Sequence, residues 1–142
     1  MNDNNQYCTF LVDGLLFGVG VKVVQEVIRY QQMTMVPLAP REIGGLINLR
    51  GQIVTAVELR RRLGLPDRAD AAKPMNVVVR TEEGAVSLLV DEIGEVVSID
   101  PSTFEPPPET LTGAARALID GVYKLKGRLL LVLNTDKAVN VC

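Results

Sequence analysis

The 142-residue sequence contains no histidine. That removes Ser-His-Asp and Cys-His triads, imidazole acid–base chemistry, His-ligated metals and any phospho-histidine relay. Cysteine is nearly as scarce. Cys8 and Cys142 lie near opposite ends, which is neither a disulfide framework nor the ligand set of a zinc site. Cys8 alternates with apolar residues and reads as a small buried hydrophobe, while Cys142 is expected to be exposed. Tryptophan is absent and there are only three Tyr and three Phe, too few for a base-stacking platform. The net charge of −2 supplies no broad basic surface, so nucleic acid is not an expected partner.

Long apolar runs are missing too. The longest, Leu129 to Leu133, has the length of a strand and falls far short of the ~20 residues that span a bilayer, so no direct membrane insertion is expected. The N-terminal "MNDNNQYC" is polar and lacks the basic-then-apolar order of a secretion signal. A cytoplasmic location is the expectation. With 47% apolar and 23% charged residues, the chain is suited to a soluble fold with a substantial core.

What the sequence does have is apolar alternation interrupted by turns. "YCTFLV-DG-LLFGVG", "LINL-RG-QIVTAV", "VVVRT-EEG-AVSLLV" and "VYKL-KG-RLLLVL" each read as a β-hairpin, with glycine where a tight turn demands positive φ. Asp13-Gly14 is the strongest turn signal of the four. Two shorter apolar segments carry the pair Glu-Val, "VQEVIRY" (Val24–Tyr30) and "GEVVSI" (Gly94–Ile99). Each leads into a proline-bearing connection, Met35–Ile43 and Phe104–Leu111. "EPPPE" within the second is best read as a rigid spacer.

The last hairpin phrase is written twice. "IGGLINLRGQIVTAVEL" matches "IDGVYKLKGRLLLVLNT" at Ile43/Ile119, Gly45/Gly121, Leu49/Leu125 and Gly51/Gly127, and Arg50 matches Lys126 in charge. The whole order repeats: hairpin, Glu-Val strand, proline connection, Ile-x-Gly hairpin, short helix. One copy covers 7–66 and the other 75–139, with Asp67–Lys73 as a polar joint, inside a single domain spanning 7–140. Two copies of five strands predict an all-β fold of two small five-stranded barrels packed together, with strands possibly exchanged between halves. Helices are expected at "ELRRRLGLP" and "NTDKAVNV", with Asn134 or Thr135 as cap of the latter, and "VKVVQEV" (Val21–Val27) reads as either one helical turn or an irregular strand entry.

Candidate functional residues are few. Arg50 sits in a hairpin turn, either as a solvated turn residue or as a planar, bidentate anchor for a carboxylate or carbonyl. Arg60, Arg61 and Arg62 read as the solvated face of a short helix. Val23, Val24, Val27 and Ile28 place apolar side chains on both faces of one segment, a surplus that either packs the second barrel or lines a groove for a partner helix. The carboxylate pairs Glu82-Glu83 and Asp91-Glu92 fall in a turn and at a strand end, where convergence in a catalytic pocket is not indicated.

The motifs "LFGVGVKVVQEVIRY", "VPLAPREIGGLINLRGQIVTAVELRRRLGLP", "SLLVDEIGEVVSI" and "LIDGVYKLKGRLLLVLNTDKAV" together resemble the CheW family of chemotaxis coupling proteins, in order and over nearly the whole chain. The resemblance implies two SH3-like five-stranded barrels side by side. It implies a non-enzymatic, cofactor-free adaptor whose partners are the cytoplasmic tip of a methyl-accepting receptor and the regulatory domain of a CheA-type histidine kinase. By the same resemblance, receptor-contact and coupling positions fall on Val24, Glu26, Gly45 and Arg50. Val27 shares the apolar face proposed for the receptor tip, and Asn48 and Gly51 flank Arg50 in the "NLRG" run. Gly20 and Thr55 depart from the family pattern, which commonly has an acidic residue and a proline there. A barrel that binds a small ligand in a polar-lined pocket is the alternative from a different functional class.

Overall fold

Val77, Val78 and Val79 belong to one strand, yet they serve two cores. Val77 and Val79 enter a large apolar cluster with Phe10, Phe17, Leu88 and Leu131, while Val78 joins a smaller one with Ile47, Val54 and Leu89. The period-2 geometry of a strand puts neighbouring side chains on opposite faces, so a strand buried on both sides is apolar throughout. The computed structural model describes residues 5–69 and 72–141 and shows ten strands arranged on this rule. Cys142 lies outside the described residues, and Cys8 is half-buried against the large cluster.

The strands are β1 (Gln6–Val12), β2 (Leu15–Gly20), β3 (Val24–Ile28), β4 (Ile43–Leu49), β5 (Gln52–Glu58), β6 (Met75–Thr81), β7 (Gly84–Val90), β8 (Glu92–Ser98), β9 (Ile119–Leu125) and β10 (Arg128–Leu133). One sheet has the order β8-β1-β2-β10-β9, the other β3-β6-β7-β5-β4. Adding five to each strand number of the first copy, and subtracting five from the second, converts one order into the other. Each sheet therefore combines the first hairpin of one copy with the Glu-Val strand and last hairpin of the other copy. All four expected hairpins form. Within each sheet the two copies meet at one parallel pairing, β2–β10 or β5–β7, and at one antiparallel pairing, β1–β8 or β3–β6.

Three apolar clusters follow from this exchange. One lies inside each barrel, built around Tyr123 and Leu130 in the first and Ile47 and Leu89 in the second. The third and largest is shared between the two sheets, sealed by Leu59, Leu63, Leu118 and Ala138 from the helices. The apolar surplus of the strands is spent on packing one barrel against the other.

The helices are α1 (Leu59–Arg62), α2 (Gly113–Leu118) and α3 (Thr135–Val139). The Asn134 side chain caps α3 by accepting from the Lys137 N–H at 3.0 Å. Helix α2 is absent from the sequence-based expectation, because six residues are too few to display a helical period. Leu118 buries its end, and Arg116 donates to the carbonyls of Pro108 and Leu111, which folds the proline connection back onto it.

The arginine run on α1 is not a solvated face. Arg60 donates from Nε and Nη2 to Asp91 at 3.0 and 2.7 Å. Arg61 grips Asp67, and Arg62 donates to the carbonyls of Lys137 and Ala138 at the end of α3. Arg68 from the joint completes a network, donating to Asp91 at 2.9 Å and to both oxygens of Glu58. Asp91 stands where the chain crosses from β7 in one sheet to β8 in the other. The other crossing, Val21–Val23 between β2 and β3, is held by Arg80, whose Nη1 lies 3.1 and 3.2 Å from the Lys22 and Val24 carbonyls.

Candidate partner-binding site

The candidate residues gather on the second barrel, where edge strand β3 faces the tip of the β4–β5 hairpin. The hairpin closes through Arg50 and Gly51, whose φ values are 52° and 87°. Two consecutive left-handed residues make the primed type of turn that suits the strand twist. Left-handed backbone is costly for arginine, and the turn compensates locally. The Asn48 side-chain oxygen accepts from the Gly51 N–H at 2.9 Å. Asn48 and Gly51 thus shape the turn from within. In the repeat, Lys126 stays out of the left-handed region and only Gly127 enters it, with φ 83°.

Arg50 is anchored to a carboxylate of its own chain. Its Nη1 donates to Glu26 Oε2 at 2.6 Å and its Nη2 to Glu26 Oε1 at 2.5 Å, a parallel fork. The hydrogen bond from Arg50 holds the Glu26 carboxyl below the usual glutamate range, and the Glu26 carboxylate in turn raises the arginine. The Arg50 side chain remains 69% exposed while that of Glu26 is largely covered. The pair therefore presents one face of a guanidinium outward on a fixed stem. Sequence reading named both residues without pairing them, since their separation of 24 positions carries no local signal.

The repeat does not reproduce this pair. Glu95 occupies the place of Glu26, and its backbone carbonyl accepts from the Thr9 hydroxyl at 2.5 Å. Lys124, at the place of Asn48, instead approaches Glu105 at 3.4 Å.

Val24 and Val27 part company. Val24 packs against the shared inter-sheet cluster, whereas Val27 is 38% exposed. The register of β3 against β6 shifts between Val24 and Glu26, with Val24 opposite Val79 and Glu26 opposite Val78. With Gln25 in excess, Val24 and Val27 lie opposite Val79 and Val77 on the same side of β6, and they differ in burial because Val24 packs against the shared cluster and Val27 does not. Ile53, 66% exposed near the start of β5 and opposite Asn48, is another exposed aliphatic residue of this barrel. Ile53 was not among the sequence candidates, because strand alternation alone cannot distinguish a buried face from an exposed one.

Gly45 lies deeper. Its φ is 152°, and a methyl group there would come within 2.9 Å of both the Met33 Cβ and the Thr34 carbonyl oxygen. The missing side chain lets Thr34 form two backbone bonds with Leu46, each 2.8 Å, so the segment after β3 is drawn against β4. Gly121 does the same in the first barrel, where Glu105 pairs with Val122 and the Phe104 ring occupies the space. Beside Asn48 and Ile53, this arrangement leaves a surface groove of about 570 Å³ floored by Met33, Leu46 and Ile47 and rimmed by Gln31 and Gln32.

A matching fold is found in known proteins. A CheW-like domain model covers residues 6–141. The chain belongs to the CheW-like family. It is 27% identical over 142 residues to the chemotaxis protein CheW of Treponema pallidum, covering 96% of this chain and 84% of that protein. It is 28% identical to the chemotaxis protein CheW of Bacillus subtilis, over 92% of this chain and 84% of that protein. The crystal structure of the scaffolding protein TtCheW from Thermoanaerobacter tengcongensis superposes with a TM-score of 0.82 at 28% identity, covering 92% of this chain and 88% of that one. The two packed five-stranded β-barrels are thus the architecture of a CheW-like domain. Among the described residues, no helix is long and apolar enough to cross a membrane, and no cluster of three or more His, Cys, Asp or Glu is placed to hold a metal ion.

Proposed function

We propose that this CheW-like protein is a cytoplasmic, non-enzymatic adaptor that couples methyl-accepting receptors to the regulatory domain of a CheA-type histidine kinase. The observation that carries this reading is the Glu26–Arg50 fork. A bidentate pair fixes a guanidinium on a rigid hairpin tip, with Val27, Ile53 and a groove alongside. A charged anchor next to exposed aliphatic residues fits recognition of a protein surface, where arginine and apolar contacts supply the strongest binding contributions. A receptor tip built as a helical hairpin would lay an apolar stripe on Val27 and Ile53 and meet Arg50 with a carboxylate or carbonyl.

The description of TtCheW as a scaffolding protein supports the adaptor reading, as does the chemotaxis assignment of the other relatives. The test is a pull-down of wild type and Arg50→Ala from native cytoplasm, with partners identified by mass spectrometry. Recovery of a CheA-type kinase and a methyl-accepting receptor with wild type, reduced with Arg50→Ala, is the expected result. Recovery of neither with wild type refutes the coupling role.

A further inference from the structure

The buried Asn76–Ser87 pair sits directly behind β3. Asn76 and Ser87 are both fully buried, and the Ser87 hydroxyl donates to Asn76 Oδ1 at 2.7 Å. The Asn76 amide then donates through Nδ2 to the Arg29 carbonyl at 3.1 Å, one residue past the end of β3. Together they are two of the three buried polar residues among the described residues. Among the described residues, the pair's side-chain bond outward from β6 and β7 is the one to the β3 exit.

Strand β3 needs such a bond because its own sequence does not define its register. It stands at the end of its sheet order, with β6 as its hydrogen-bonded strand neighbour among the described residues. Val24 pairs with Val79, but Glu26, Val27 and Ile28 pair with Val78, Val77 and Asn76, so Gln25 is one residue in excess. Drawing Gln25 into the ladder would slide residues 26–28 by one position, about 3.3 Å. Val27 would then take the place of Ile28, one aliphatic for another. Glu26 would take the place of Val27, which is partly exposed and tolerates a carboxylate. A strand with aliphatic residues on both faces meets little hydrophobic resistance to this slip. Yet the slip turns Glu26 to the other face and takes it away from Arg50.

We propose that Asn76 is a positioning residue that pins the register of β3 and thereby places Glu26 opposite Arg50. In the slipped register the Arg29 carbonyl leaves Asn76, and a fully buried amide donor loses its acceptor. An apolar residue at position 76 carries no such penalty. A buried polar group used to select one register among near-equals is the best-attested role for such groups.

This inference gives a reason for the site geometry on which the proposed function rests, and its test needs no partner. The isotope-labelled full chain is examined by NMR as wild type and as the double variant Asn76→Val/Ser87→Ala, which removes both buried polar groups together. The wild type is expected to show one set of β3–β6 cross-strand contacts, with Glu26 opposite Val78. The double variant is expected to show doubled amide signals for residues 24–29 and new contacts between Glu26 and Val77. The midpoint of its Glu26 carboxyl titration is expected to rise toward the ordinary glutamate range. Should the double variant fail to fold, Asn76→Thr carries the same expectation, since its hydroxyl can bond Ser87 but is too short to reach the Arg29 carbonyl. Ser87→Ala alone keeps the bond to Arg29 and is expected to hold the single register. A folded variant at position 76 with one register and an unshifted Glu26 titration would overturn the proposal, and so would slippage in Ser87→Ala.

Discussion

Arg50 and Glu26 are joined by two parallel hydrogen bonds of 2.5 and 2.6 Å between the tip of one hairpin and the edge strand that closes the same barrel. Strand β3 and strand β4 are the two ends of their sheet order. The pair therefore adds a polar bridge between sheet ends that the apolar cluster inside the barrel also joins.

Because the pair lies at the surface, its removal is expected to leave the fold intact and abolish partner capture. Arg50→Ala and Glu26→Gln should melt close to wild type in a thermal scan. Both should lose kinase and receptor in the pull-down. The exchanged double variant Glu26→Arg/Arg50→Glu can rebuild the ion pair but presents a carboxylate outward, so partner capture is expected to stay low.

The two valines of β3 should respond in opposite ways. Val24→Asp places a charge against the shared inter-sheet cluster and is expected to destabilise the fold by roughly 2 kcal/mol or more. Val27→Asp substitutes a partly exposed position and is expected to fold normally while binding partners weakly. Chemical denaturation of both variants separates the outcomes. A wild-type midpoint for Val24→Asp would contradict its place in the core.

Acid should loosen the clamp between the barrels. Burial raises the pKa of Asp91, but the Arg60 guanidinium, the Asp13 N–H and the Arg68 guanidinium together outweigh it and hold the value at about 2. A carboxyl lowered in the folded state contributes stability that is complete above its unfolded pKa of about 4 and lost as the pH falls toward 2. Asp91→Asn should flatten the fall in melting temperature across that window. An unchanged acid limb would place the decisive carboxylate elsewhere.

Leu38 offers a stabilising substitution. It occupies the third position of the Val36–Ala39 turn with φ 63°, fully exposed, and the Ala39 N–H donates to the Val36 carbonyl at 3.3 Å. A leucine there bears the steric cost of left-handed backbone with no packing in return. Leu38→Gly is expected to raise stability by about 1 kcal/mol, or roughly 2–4 °C in melting temperature for a domain of this size. A lower melting temperature would show that the side chain packs in solution.

Much of the molecule was legible in the chain. The repeated Ile-x-Gly phrase, the four hairpins and the cap of α3 are encoded in residues a few positions apart, where turn chemistry and alternation act locally. Glu26 and Gly45 were singled out through the family resemblance, which also favoured the anchor over the solvated-turn reading that the hairpin left open for Arg50. Ile53 escaped because an aliphatic residue on an alternating strand carries no mark of the side it faces. The role of the α1 arginines escaped for a related reason. A basic run on a short helix looks solvated until Asp91, Asp67 and the end of α3 are brought to it.

By itself, then, the sequence determined the strands, their turns and the presence of two equivalent modules, because those depend on near neighbours. Only the tertiary structure decided that each sheet takes strands from both modules, that Val24 is covered and Val27 exposed, and that Arg50 holds Glu26. Each of these depends on which distant segments share a register. Strand β3 shows why: its aliphatic residues satisfy either face equally well, and in the proposed account the choice rests on Asn76, 52 residues after Val24 in the chain.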